Sequence, residues 1–132
     1  MRVVEVPVEA VRDLRSRVLR DGGDDVVLPG DDDPETVHLA AVDDDGTVLG
    51  VGSFYRDDGC WKLRGMAVEP DRQGSGAGRA VLEAAHERFR GELLWANVRD
   101  SAIGFYERMG WTIVGEGFDT DWGPHHRGEI RL

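Results

Sequence analysis

The sequence predicts a mixed α/β fold of the α+β kind, with a mostly antiparallel central sheet flanked by helices. Three observations carry this expectation. Three apolar-rich runs between residues 36 and 68 are separated by short Asp/Gly turns, as in an antiparallel meander. Two stretches, 8–20 and 76–90, repeat apolar residues at helical spacing. A buried-looking run, 92–98, then leads into a further helical stretch and two closing strands. Helices and strands in such an order pack as layers around a shared core.

Taken in order, "RVVEV" (2–6) alternates weakly and reads as a first strand. Val8, Val11, Leu14 and Val18 recur at three and four residues, which is one face of a helix. "DGGDDVVLPGDDDPE" reads as a loop from its Gly, Pro and Asp content. "TVHLAAV" (36–42) and "TVLGVGSFY" (47–55) form a hairpin around "DDDG", and "RDDG" leads to a third strand, "CWKLRGMAV" (60–68). Pro70 stops that strand. From Gly76, residues Ala77, Ala80, Val81, Ala84, Ala85 and Phe89 keep a helical period to about Arg90.

"ELLWANV" (92–98) is a short strand. Asp100 or Ser101 is placed to cap the next helix, which carries Ala102, Phe105, Tyr106 and Met109 on one face. Gly110 ends it as a C′ glycine would. "WTIVGEGF" (111–118) and "HHRGEIRL" (125–132) are the last strands. No internal repeat and no linker divides residues 1–132, so they read as one domain.

Composition narrows the function classes. The net charge is −10, and it is uneven: Asp21 to Asp58 holds twelve acidic residues against Arg56 alone, whereas Cys60 to Gly110 is nearly balanced. An acidic surface argues against nucleic acid, which requires clustered Lys and Arg to displace counterions. No apolar run approaches the ~18 residues of a membrane span. The N-terminus lacks a signal-peptide pattern, so a cytoplasmic protein is expected. The one cysteine, Cys60, excludes an internal disulfide and reads as a small buried residue on its strand. Lys62 is the one lysine beside fifteen arginines, a bias that resembles proteins of salt-loving microbes, where carboxylates hold water. Metal binding finds no convincing cluster, because "HH" alone cannot supply three or four ligands.

The residues that point to chemistry are "DRQGSGAGRAVL" (71–82). Glycines at 74, 76 and 78 lead straight into a helix, although each costs roughly 1 kcal/mol there relative to alanine. The first amides of a helix have no intrahelical partner, and the macrodipole adds about half a positive charge. A glycine turn leaves those amides unobstructed for an anion. A P-loop needs GxxxxGK followed by Ser or Thr, and no lysine follows here. A dinucleotide fingerprint needs GxGxxG in a parallel βαβ unit, whereas GxGxG here follows an antiparallel meander.

A third class fits. "VEPDRQGSGAGRAVL" resembles the pyrophosphate signature of the GNAT superfamily of N-acetyltransferases, Gln/Arg-x-x-Gly-x-Gly/Ala, met by Gln73, Gly76 and Gly78. "LLWANVRDSAIGFYERMGW" resembles the family's second block: strand, Asn, helix, "FY", then "GW". The resemblance is close over about residues 36–118, and "GPHH" resembles more loosely a group of small bacterial and archaeal members.

The resemblance implies an acyl-CoA N-acyltransferase fold and an acetyl-CoA-dependent enzyme acting on a primary amine of a small molecule or protein. It implies that Met66, Ala67 and Val68 line the cofactor, with Met66 and Val68 offering main-chain groups to the pantetheine arm and thioester. Amides of Gln73, Gly74, Ser75, Gly76, Ala77, Gly78 and Arg79 would wrap the pyrophosphate of acetyl-CoA, and Asn97 would bond the pantetheine amides. Tyr106 would place its hydroxyl near the thioester sulfur as general acid. A free phenol titrates near 10 and stays protonated at neutral pH. On helical spacing alone, Tyr106 reads instead as core beside Phe105 and Met109.

Freeing the lone pair of an alkyl amine at pH 7 costs roughly 4.6 kcal/mol, so a base is expected. His38, His125, His126 and Glu69 are candidates, and none is assigned. The first helix, the acidic loop and the final hairpin would form the acceptor pocket, with Trp122 the tryptophan nearest substrate. Arg15, Arg17 and Arg20 would either bind an acceptor carboxylate or oppose the helix dipole, the second being preferred. A non-catalytic acyl-CoA-binding module is the alternative. Family members often dimerise through sheet edges or the last strands, so the resemblance leaves a homodimer open.

Overall fold

The computed structural model describes residues 1–19 and 27–132. The strands are β1 (Arg2–Glu5), β2 (Val37–Val42), β3 (Val48–Asp57), β4 (Cys60–Val68), β5 (Leu93–Arg99), β6 (Thr112–Thr120) and β7 (Gly123–Arg131). The helices are α1 (Val8–Leu19), α2 (Ala77–Arg88) and α3 (Ile103–Arg108), with single 3₁₀ turns at Pro70–Arg72 and Asp100–Ala102. Each expected helix and strand is present; β4 has the expected bounds, and the other ends move by at most three residues. One seven-stranded sheet runs in the order β1-β2-β3-β4-β5-β7-β6. Every neighbouring pair is antiparallel except β4 and β5, which are parallel.

Strand alternation sorts side chains onto two faces. On one face Val37, Leu39, Ala41, Phe54, Trp61, Leu63, Leu94, Ala96 and Val98 pack with α2 and α3 through Val81, Leu82, Ala85, Phe89 and Tyr106. On the other, Ala40, Val42, Val51 and Ala67 pack with Val8, Val11 and Leu14 of α1. Among the described helices, α1 alone covers that second face, and it packs chiefly on β4, β3 and β2. The face carried by β5, β7 and β6 lies beyond it.

A bulge interrupts β4 at its centre. Ser53 pairs with Arg64 and Val51 with Ala67, so two residues, Gly65 and Met66, oppose Gly52. Gly65 has φ +67°, the left-handed geometry of a glycine bulge. The extra residue resets the alternation, so Met66 turns toward Gly52 and α2 while Ala67 faces α1. It also bends β4. The parallel pairing with β5 covers only Trp61↔Leu94 and Lys62↔Trp95, and the strands diverge beyond it.

A buried polar network braces this bulge. Arg15 was expected at the helix surface, opposing the dipole or binding substrate. It lies instead fully buried under α1. Its Nη1 donates to Asp31 Oδ2 (2.8 Å) and its Nη2 to Asp31 Oδ1 (3.1 Å), Ser53 Oγ (2.5 Å) and Tyr55 Oη (2.9 Å). Tyr55 donates to Asp31 Oδ1 (2.5 Å). His38 completes the cluster: Nε2–H donates to the Asp31 carbonyl (3.1 Å), which leaves Nδ1 to accept from Ser53 Oγ (2.7 Å). A Cβ added at Gly65 would stand 2.8 Å from Arg15 Nε. Gly65→Ala therefore combines left-handed strain with overpacking of an immobile guanidinium. The expected loss is about 2–4 kcal/mol of stability, read by urea unfolding.

Candidate functional site

The candidate site is the divergence of β4 from β5 and the loop that follows β4. Both strands run toward the same end of the sheet, where residues 69–76 carry the chain into α2. Unpaired strand edges face each other across the opening, and such edges present free N–H and C=O groups. Met66 and Val68 are half-buried on one side, with Ala67 buried between them, and Asn97 is exposed on the other.

The start of α2 is built for an unobstructed approach. Gly74 and Gly76 have φ +86° and +93°, and a Cβ added at either meets nothing within 4 Å. Their requirement is thus conformational, and the space above them is open. Gly78 differs, because a Cβ there would sit in ordinary contact with Val68 and Phe105 at 3.5 and 3.6 Å. The first helical bond is donated by Ala80 to the Gly76 carbonyl (2.8 Å), and no side chain caps the helix. The amides of Ala77, Gly78 and Arg79 precede that bond and remain available. Gln73, Gly74, Ser75 and Gly76 are exposed around them, while Ala77 is buried against the sheet. Arg79 pairs with Glu83 at 2.7 Å on the helix surface, a contact weak enough to exchange for an anion.

Tyr106 is held by the end of its helix. Gly110 (φ +94°) donates to the Glu107 carbonyl (3.0 Å) and Trp111 N to the Tyr106 carbonyl (3.0 Å), a Schellman closure. That closure sets Trp111 edge-on against the Tyr106 ring with centroids 5.0 Å apart. Tyr106 is buried, and burial raises its phenol above the ordinary value, so it stays protonated at neutral pH. The expected cap by Asp100 or Ser101 is absent: α3 starts from the 3₁₀ turn without a side-chain cap bond. Asp100 accepts from His126 Nδ1 (2.7 Å) instead.

The base candidates separate. Both ring nitrogens of His38 are engaged in the Asp31 cluster, which gives it a structural role. His125 is buried, donates from Nδ1 to the Gly123 carbonyl (2.9 Å) and stacks on Phe118. His126 packs on Gly117 and faces Asp100. Glu69 pairs with Arg17 of α1, which lowers its carboxyl. Arg20 lies outside the described residues. Cys60 is only half-buried, and its thiol, raised chiefly by burial, donates to the Asp57 carbonyl. Trp61 and Trp111 are core, whereas Trp122 is exposed at the β6–β7 turn.

Sequence reading passed over the residues at the fork itself. Lys62 pairs across to Tyr55 and to Trp95, and Arg64 pairs across to Ser53. They therefore share the face that carries Arg15 and α1. Period-two reading of "CWKLRG" holds the signal, because Trp61 and Leu63 alternate with Lys62 and Arg64. Among the described residues no group of three or more His, Cys, Asp or Glu side chains could hold a metal ion. No described helix is long and apolar enough to cross a membrane.

Comparison with known proteins bears on family and fold. The sequence profile of the acetyltransferase (GNAT) family matches residues 8–111. The chain is 27% identical over 131 residues to the uncharacterized N-acetyltransferase YitI of Bacillus subtilis (strain 168), covering 90% of this chain and 87% of that protein. Its fold is similar to an aminoglycoside 6′-N-acetyltransferase solved with coenzyme A (TM-score 0.80, 18% identity, 99% and 97% of the two chains). It is also similar to Escherichia coli ElaA (TM-score 0.79, 14% identity, 98% and 99% of the two chains).

Proposed function

The chain belongs to the GNAT family of acetyltransferases, and from that premise we propose that it moves acetyl from acetyl-CoA to a primary amine by direct attack. The observation that carries this reading is the continuity of two open features. The β4–β5 fork leads at its wide end to the uncapped amides of α2. A diphosphate at those amides would send its extended arm between the strand edges, where unpaired backbone groups meet its amides much as an added strand would.

In this reading the amides from Gln73 to Arg79 hold the pyrophosphate, and Asn97 bonds the arm from the β5 side. Main-chain groups of Met66, Ala67 and Val68 line the β4 side, where an N–H polarises the thioester carbonyl. The amine nitrogen attacks that carbonyl carbon, the new C–N bond forms, and the C–S bond breaks. Tyr106 gives its proton to the departing thiolate and is later reprotonated from solvent. The proton lost by the amine leaves through water, since no histidine is assigned as its acceptor. A cytoplasmic setting goes with this reading.

Two measurements test it. Wild-type protein should bind acetyl-CoA and release CoA thiol only when an amine is present. Tyr106→Phe should lower kcat about 10²-fold, within the range of a lost general acid, while its acetyl-CoA affinity by calorimetry stays within twofold. Binding without amine-dependent release would support an acyl-CoA-binding module instead.

A further inference from the structure

We propose that the acceptor is an amino acid whose carboxylate is held by Arg64 and Lys62 at the fork of β4 and β5. The inference rests on the acetyl-transfer reading above and names the substrate class of the same site. The charge pattern holds one anomaly. The chain has 26 acidic residues against 16 basic ones, so a cation has many carboxylates to meet. Arg12, Arg15 and Arg127, the other buried or half-buried described arginines, each have one: Asp32, Asp31 and Glu129. Arg64 is half-buried and forms no ion pair or hydrogen bond with any described residue. All other unpaired arginines among the described residues are exposed.

Lys62 repeats the pattern two residues earlier on the same face. Its Nζ lies over the Trp95 ring at 4.4 Å, and the guanidinium of Arg127 lies over the same ring at 4.2 Å, one from each strand flanking β5. Asp57 accepts from Trp95 Nε1 (3.0 Å), and Glu129 accepts from Arg127 Nε (3.2 Å). Both nearby carboxylates therefore have other partners. Burial lowers the Lys62 ammonium from its ordinary value, and Arg64 and Arg127 lower it further, outweighing the pull of Asp57. The fork thus gathers cations whose mutual repulsion an incoming carboxylate would relieve.

Position supplies the rest. Lys62 marks the last paired rung of β4 with β5, and Arg64 stands directly before the Gly65–Met66 bulge. In the proposed reaction that bulge lies beside the reacting carbonyl. A carboxylate on Arg64 would hold an amine only a few bonds away next to that carbon, which fits a free amino acid and its short reach. An arginine fork matches a carboxylate with two parallel N–H bonds. A polyamine would bring further positive charge against Lys62 and Arg64 and be repelled.

The test compares acids with their amides. Free amino acids, the corresponding amino-acid amides and putrescine are offered to wild-type protein with acetyl-CoA, and CoA thiol is followed. The N-acetylated acids and N-acetylated amides are also titrated calorimetrically into the protein with and without CoA. At least one acid should exceed its amide and putrescine at least tenfold in kcat/KM, and its N-acetyl form should bind at least tenfold tighter. Arg64→Gln should reduce that preference to within about twofold through KM, and Arg64→Lys should keep part of it. Lys62→Met is a second variant should the first fail to fold. Equal treatment of acid and amide, a preference for putrescine, or binding of neither partner would overturn the proposal. Loss of acetyl-CoA binding in wild-type protein would instead overturn the acetyl-transfer reading.

Discussion

Gly76→Glu is expected to weaken acetyl-CoA binding at least 100-fold, about 2.7 kcal/mol, as measured by calorimetry. The side chain would project from a residue at φ +93° into open space directly over the free amides of α2. Its carboxylate would occupy the position and carry the charge that the proposal gives to a diphosphate. The fold should tolerate the change better than the site does, since an anion at a helix N-terminus is favourable. Left-handed strain at a non-glycine residue costs about 1–2 kcal/mol. Gly46→Glu supplies the control, because Gly46 has φ +87° and equally open surroundings in the β2–β3 turn. That variant should lose similar stability and bind acetyl-CoA like the wild type. Equal affinity in both variants would remove the α2 amides from the site.

Asp31→Ala is expected to destabilise the protein by about 3–5 kcal/mol, the cost of leaving a buried guanidinium uncompensated. Side-chain exposure is 0% for Arg15 and 1% for Asp31, so water cannot replace the lost carboxylate. Against a total stability of about 5–15 kcal/mol, that loss puts the fold close to its limit. Urea unfolding reads it directly. Arg15→Met with Asp31→Leu should recover part of the loss, since removing both charges removes the desolvation cost as well.

The same pair predicts acid sensitivity. Burial alone would raise the Asp31 carboxyl, but hydrogen bonds from Arg15, Tyr55 and the Leu28 amide outweigh it and hold the carboxyl below its ordinary value. In the unfolded chain an aspartate titrates near 3.9. Its contribution is therefore complete above about pH 5 and is lost as pH falls through the unfolded value toward the lower folded one. Tyr55 moves the opposite way, pushed up to about 12 by burial and by Asp31, so it remains a donor throughout. Wild-type stability should fall below pH 4 more steeply than that of the doubly substituted protein. Parallel acid profiles would mean that the pair does not govern this loss.

Much of the architecture was legible because it is local. The periodicities of residues 8–19 and 77–88, the Asp/Gly turns of the meander and the stop at Gly110 each depend on a few adjacent residues. Gly110 even performs its expected task, closing α3 and setting Trp111 on Tyr106. Where reading failed, the decisive contacts were distant or competed with a local rule. Asp100 has the chemistry of a cap, yet its carboxylate meets His126, 26 residues away. Arg15 sits where a surface cation would suit a helix end, yet its partners are 16, 38 and 40 residues on.

Residues close together in the chain thus suffice to read which elements form, in what order, and where a glycine turn begins a helix. Only the assembled fold shows that β4 bulges at Gly65 and parts from β5 after Lys62. It also buries Arg15, while Arg64 pairs with none of the described residues. The difference is one of range. Backbone conformation answers to neighbouring residues, whereas desolvation and charge pairing are settled only when remote segments meet.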